Sequence, residues 1–248
     1  MHAVILAAGR GSRLGPLSGD RPKCLVEFAH KPLIHRQIAA LRGGGVSSIG
    51  IVRGYLGNMI EVEGATYFEN PRWAETNMVM SLVAAAPWLQ SSPVVISYAD
   101  IFYGRDVVRD LAAAPGDLVV AYDPSWRSLW TRRFADPLSD AETFRTDASG
   151  KLLDIGRRTT EIDEIKGQYM GLLKFTPVAW GAAEAVLAGV DAKTRDAMDM
   201  TTLLRRLLDS GFPISTVGIS GQWGEIDSSG DLELYEKMVR EGELCLEN

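Results

Sequence analysis

Residues 3 to 8, Ala-Val-Ile-Leu-Ala-Ala, form an uninterrupted apolar run that stops at Gly9. A strand covered on both faces reads this way, whereas a half-solvated strand alternates apolar and polar residues. The run constrains the fold because sheets buried on both sides are built mainly from parallel strands with helical crossovers. Similar runs recur at Ile49 to Val52, Ala65 to Phe68, Val94 to Ser97 and Leu118 to Ala121. Helical patterns lie between most of them. Pro32 opens one in which Ile34, Ile38 and Leu41 share a face until Gly43-Gly44-Gly45 stops it, and others cover Met78 to Leu89 and Val107 to Ala114. This alternation predicts parallel βαβ units.

Between Asp123 and Gly167 the rhythm breaks into a polar stretch without a clear period, which reads as an insertion or lid. A long strand then follows at Gln168 to Phe175, with helices near 178–187 and 200–210 and a strand near 214–217. The last helix begins at about Ser229, and Ser228 with Asp231 has the form of a capping box for it. The expected organisation is one α/β domain over residues 1–248, with the insertion at about 123–167. With 248 residues, 46% hydrophobic and 23% charged, the chain can bury a full core.

The 26 basic residues against 32 acidic ones leave a net charge of -6, which argues against a nucleic-acid or anionic-membrane surface. An anionic ligand must then be held locally. No apolar run approaches the roughly 18 residues of a membrane span, and Met1-His2-Ala3-Val4 lacks a basic leader, so a cytoplasmic protein is expected. Cys24 and Cys245 lie near opposite ends without metal-ligand spacing and read as reduced thiols.

The strongest local signal is Leu6-Ala7-Ala8-Gly9-Arg10-Gly11-Ser12-Arg13-Leu14, followed by Lys23. Glycines directly after a buried strand let backbone amides approach a phosphate, while Arg13 and Lys23 could neutralise triphosphate charge. The loop lacks the Gly-Lys-Ser/Thr of a Walker motif, and Leu14 stands where a dinucleotide fingerprint needs its third glycine. A plain glycine-rich turn with solvated arginines is the alternative. Asp100 follows the apolar run 94–99, which places a carboxylate at the edge of an α/β sheet where ligands bind. Glu225 and Asp227, two apart in a short extended segment, point to one face and could join Asp100 around a hard cation. Alternatively, Asp227 only caps the last helix and Glu225 is solvated.

In order along the chain, the loop 7–14, Pro22-Lys23, Lys31-Pro32-Leu33-Ile34, Gly54-Tyr55, Asn77 to Leu82, Tyr98-Ala99-Asp100 and Glu225-Ile226-Asp227 resemble the nucleotidyltransferase family. The later motifs are most similar to its phosphocholine and phosphonate cytidylyltransferase branch. That resemblance implies a Rossmann-like nucleotidyltransferase fold, with a mostly parallel mixed sheet flanked by helices and an insertion or lid. It implies transfer of CMP from CTP to a small phosphate or phosphonate, with release of pyrophosphate. Mg2+ would be held by Asp100, Glu225 and Asp227. Lys23 would contact the phosphates of both reactants, and Arg13 the departing β- and γ-phosphates. Leu6, Ala7, Ala8, Gly9, Arg10, Gly11, Ser12, Asn77 and Asp100 would line the nucleotide site. A homodimer is compatible with the family. A sugar-1-phosphate nucleotidyltransferase and a non-catalytic nucleotide-binding regulatory module are the rival expectations.

The acceptor is the most open point. Tyr103, Trp126, Trp130 and Trp180 could cage a quaternary ammonium with Asp136 nearby, which suits phosphocholine. Arg132, Arg133, Arg157 and Arg158 could instead grip a more anionic phosphonate. Packing of the tryptophans and surface pairing of the arginines are the alternatives. Lys174 either reaches substrate or snorkels from its strand.

Overall fold

The computed structural model describes residues 1–12, 14–15, 19–219 and 222–246. Its centre is strand β1 (His2–Ala7), whose side chains alternate between two apolar layers. Ala3, Ile5 and Ala7 face one layer, and Val4 and Leu6 face the other. That explains why the run has no polar positions.

The remaining elements follow in order: β2 (Glu27–Phe28), β3 (Lys31–Pro32), α1 (Leu33–Gly43), β4 (Ser48–Arg53), β5 (Thr66–Glu69), α2 (Met78–Ala84) and α3 (Ala86–Leu89). Next come β6 (Val94–Tyr98), β7 (Ile101–Tyr103), α4 (Arg105–Ala113), β8 (Leu118–Asp123), α5 (Trp126–Arg133), β9 (Phe144–Thr146) and β10 (Leu152–Ile155). The chain closes with β11 (Gln168–Phe175), α6 (Pro177–Ala188), α7 (Ala192–Asp196), α8 (Met200–Asp209), β12 (Ser215–Gly218), β13 (Trp223–Glu225) and α9 (Ser229–Arg240).

Seven strands form the main sheet in the order β12-β8-β11-β6-β1-β4-β5. β1 pairs in parallel with β4 and β6, whereas β11 runs antiparallel to both β6 and β8. The chain leaves β1 for β4 and β5 on one side and returns to β6 on the other. The crevice at the carboxyl ends of β1 and β6 is therefore the switch point of the sheet. The loop after β1 and Asp100 after β6 both open there.

The helical pattern over 78–89 resolves into two pieces. Pro87, near the start of α3, has no amide to donate, and Ala85 N–H bonds Leu82 O at 2.9 Å to close the first piece. The stretch 123–167 carries α5 and the antiparallel pair β9–β10. Ser228 and Asp231 form the expected capping box at α9. Among the described residues no helix is long and apolar enough to cross a membrane.

Candidate active site

The loop after β1 is pinned from two sides. Tyr55 N–H bonds Ala8 O at 2.9 Å, and a side chain at Gly54 would come within 2.6 Å of that same oxygen, so this approach needs glycine. Gly11 adopts φ +67°, and a β-carbon there would lie 2.8 Å from Lys23 Cβ. Its backbone angle and its contact with Lys23 both disfavour a side chain, which would force Lys23 or the loop to shift. Arg10 lies over the Tyr55 ring at 5.5 Å.

Lys23 sits in a single helical turn, Lys23–Leu25, and is buried. Its Nζ donates to Asp100 Oδ2 at 2.8 Å and to Asp227 Oδ1. Burial opposes its ammonium form, but the charges of Asp100, Asp227 and Glu225 outweigh that and raise its pKa above the ordinary lysine value.

The two acidic stretches meet by strand pairing. β13 runs antiparallel to β7 with Glu225 opposite Ile101, and Ile226 N–H donates to Asp100 O at 2.9 Å. One carboxylate oxygen from each of Asp100, Glu225 and Asp227 then lies within 4.8 Å of the others. Burial, followed by the neighbouring Asp227 and Asp100, pushes the Glu225 carboxyl up to about 8, while Arg133 and Lys23 pull the other way. Among the described residues, Asp100 Oδ1 is buried without a hydrogen-bond partner. An acceptor-only oxygen left in this state, beside two further carboxylates, is a donor set that fits a hard divalent cation.

A cavity of about 310 Å3 opens between the loop and this cluster, lined by Ala8, Gly9, Lys23, Trp73, Ser81 and Asp100 among others. Leu6, Ala7, Gly11, Ser12 and Asn77 also line it. Arg10 is exposed and does not line it, and Arg13 lies outside the described residues. Asn77 caps α2 and donates to Ala197 O at 3.2 Å, tying the cavity wall to the α7–α8 connection. A larger cavity of about 630 Å3, bordered by Arg36, Gly104, Arg105 and Cys245, contains none of the cluster's residues.

The structure places the expected acceptor residues away from the cavity at the loop. Tyr103, Trp126, Trp130 and Trp180 are all buried. Tyr103 OH donates to Ser97 Oγ at 2.9 Å, Trp126 Nε1 to Ile165 O at 3.3 Å and Trp130 Nε1 to Asp140 Oδ2 at 3.0 Å. Tyr103, Trp126 and Trp130 pack in one apolar layer and Trp180 in the other, so their rings are enclosed. Lys174 is buried and donates to Ala112 O and Ala114 O, away from the cavity. Arg132 pairs with Glu243, Arg157 with Asp154, and Arg158 donates to Ser139 O and Asp140 O. Arg133 bonds Asp231 and Glu225, with its side chain fully enclosed. None of these residues lines the cavity at the loop.

Sequence reasoning also missed Gln37. Fully buried on α1, its Nε2 donates to Tyr98 O at 2.7 Å and Ile101 O at 2.6 Å, clamping the turn that carries Asp100. The available signal was a polar residue inside the apolar stripe of Ile34, Ile38 and Leu41.

A glycine loop at the switch point, a buried lysine and a cation-competent carboxylate cluster define an enzyme that handles nucleoside triphosphates on a Rossmann-like nucleotidyltransferase fold. Residues 3–159 match the MobA-like NTP transferase domain, and the chain belongs to that nucleotidyltransferase family. It is 37% identical over 253 residues to a CTP:phosphoglutamine cytidylyltransferase of Campylobacter jejuni, covering 94% of this chain and 98% of that one. A 2-aminoethylphosphonate cytidylyltransferase of Lancefieldella rimae is 30% identical over 161 residues, covering 63% of this chain and 61% of that one. The inositol-1-phosphate CTP transferase of T. maritima superposes with a TM-score of 0.73 at 21% identity, over 96% and 95% of the two chains.

Proposed function

We propose that this nucleotidyltransferase moves CMP from CTP to a small acceptor bearing a phosphate or phosphonate and releases pyrophosphate. The observation that carries the reading is the meeting of Lys23 with Asp100 and Asp227 at the mouth of the glycine loop. The near full-length likeness to a cytidylyltransferase supports CTP as donor. It also favours a phosphorylated amide such as phosphoglutamine among the candidate acceptors.

In this reaction an acceptor oxygen attacks the α-phosphorus, a new P–O bond forms, and the bond to the pyrophosphate oxygen breaks. The acceptor is already an anion at neutral pH, so no general base is assigned. The protein's task is placement and charge. The backbone of residues 8–11 positions the triphosphate at the end of β1. Lys23, charged at all working pH values, stabilises the negative charge shared between the incoming and leaving oxygens. Asp100, Glu225 and Asp227 would hold Mg2+, which when bound supplies further positive charge to the phosphates. Gln37 keeps Asp100 in place through the backbone on either side of it.

The test is pyrophosphate formation across a matrix of the common nucleoside triphosphates against phosphoglutamine, 2-aminoethylphosphonate, phosphonoformate, phosphocholine and a hexose 1-phosphate. The expected result is turnover with CTP and at least one of the first four acceptors. Turnover restricted to the hexose 1-phosphate would transfer the chain to the sugar nucleotidyltransferases. No pyrophosphate from any pair would favour a regulatory nucleotide binder.

A further inference from the structure

Arg133 is the last residue of α5, the helix of the insertion, yet its side chain has 0% exposure and reaches the carboxylate cluster. Its guanidinium lies over the rings of Trp130 at 4.7 Å and Phe134 at 5.0 Å. Nε donates to Asp231 Oδ1 at 2.8 Å, and Nη1 to Glu225 Oε2 at 3.3 Å. Asp231 is itself buried, and its other oxygen accepts the amides of Asp227 at 3.1 Å and Ser228 at 2.9 Å. One guanidinium therefore grips the side chain of Glu225 directly and the backbone of Asp227 through a single intermediary.

We infer that Arg133 is a positioning residue for the cation-binding carboxylates, fixing Glu225 and Asp227 relative to each other and making the inserted helix part of the cation site. The inference rests on the divalent-cation assignment made above. A planar fork reaches two carboxylates from one rigid group, which a lysine ammonium cannot reproduce. The stacked rings hold that fork, and Trp130 is in turn held by Asp140. The position of α5 is thereby transmitted to residues 225–227. Groups that orient metal ligands from outside the coordination sphere change metal affinity by about 10- to 100-fold when lost.

Two roles for Arg133 predict opposite signs. As a mere positive neighbour it would repel a cation, and its removal would tighten binding. As a positioning residue its removal loosens binding, because Glu225 and Asp227 lose their fixed arrangement. The test measures binding of Mn2+ alone to the full chain by the electron paramagnetic resonance signal of the free ion, with folding checked by circular dichroism. Arg133→Met is expected to weaken Mn2+ binding by about tenfold or more. Unchanged or tighter binding overturns the proposal.

Arg133→Lys keeps the charge without the fork and is expected to remain several-fold weaker than wild type; full recovery overturns a positioning role. If Arg133→Met does not fold, Arg133→Lys carries the test, together with its repeat in a Glu225→Gln background. There its added loss should be clearly smaller than in the wild-type background, the remainder acting through Asp231 on Asp227. An undiminished loss in that background removes the grip on Glu225 and overturns the proposal. Failure of the wild-type protein to bind Mn2+ would overturn the cation site and this inference together. Nucleotidyl transfer would still be judged separately by pyrophosphate release.

Discussion

Replacing Lys23 by methionine separates two jobs that the structure gives to one ammonium. Lys23 Nζ is the counter-ion of Asp100 at 2.8 Å and of Asp227, with only 10% of the lysine side chain exposed. Removing one partner from a buried ion pair costs about 3–5 kcal/mol, because the remaining carboxylates stay buried with their charge uncompensated. At about 2–4 °C per kcal/mol for a chain of this size, the Lys23→Met variant in excess chelator should melt on the order of 10 °C below wild type. A divalent cation supplies charge to the same carboxylates, so Mg2+ should return much of that loss. Turnover should not return with it. Losing a preorganised donor to transition-state charge costs about 2.7–4 kcal/mol, or roughly 100- to 1000-fold in rate. The paired assays are thermal melting with and without Mg2+ and pyrophosphate release at saturating Mg2+. Near-wild-type turnover would refute the role of Lys23 in the reaction. A melting temperature unchanged in chelator would refute its role as the buried counter-ion.

Gly11→Ala should fold but lose on the order of 10- to 100-fold in turnover, because the new β-carbon at 2.8 Å forces Lys23 or the loop to shift; a wild-type rate would show that the loop has slack there. Burial pushes the Cys24 thiol up to about 12 whereas Cys245 is exposed, so the native protein should take up one iodoacetamide at neutral pH and the denatured protein two. Rapid native labelling of Cys24 would contradict the packing beneath the loop. Glu225 titrates near 8 when folded against an ordinary 4.5, so without cation the folded state binds the extra proton between those values. Stability should fall by a few kcal/mol as pH rises through that window, and Mg2+ should raise the melting temperature more at pH 8 than at pH 5. Equal cation-induced shifts at both pH values would count against Glu225 as a cation ligand.

The parts legible in the sequence are those where one local rule decides. The run Ala3 to Ala8 predicts a doubly covered strand, and residues 3 to 7 alternate between the two apolar layers. Ser228 and Asp231 predict a cap because the motif is contained within four residues, and it forms as expected. The helix expected over 78–89 is split because Pro87 acts through a missing donor, a local effect that an apolar count does not register. The meeting of Asp100 with Glu225 and Asp227 is legible both in the spacing of two between Glu225 and Asp227 and in the family resemblance. Its physical means, the antiparallel pairing of β7 with β13, was not visible in segments only three residues long.

The stretch 123–167 is the least legible part, for a reason that bears on the acceptor. Tryptophans and arginines crowded between 126 and 133 look equally like a ligand cage or like packing, since both uses need large flat groups with polar edges. The outcome depends on which way α5 turns, and the contacts that fix this come from distant residues. Ile165 and Asp140 take the indole N–H groups of Trp126 and Trp130, while Asp231 and Glu225 take Arg133. These partners lie up to 98 positions away, so no local pattern announces them. The consequence of the role proposed for Arg133 is specific: α5 would reach the reaction through the carboxylates that Arg133 holds. Substitutions on the enclosed side of α5 should therefore register first in cation affinity, and only through that in turnover.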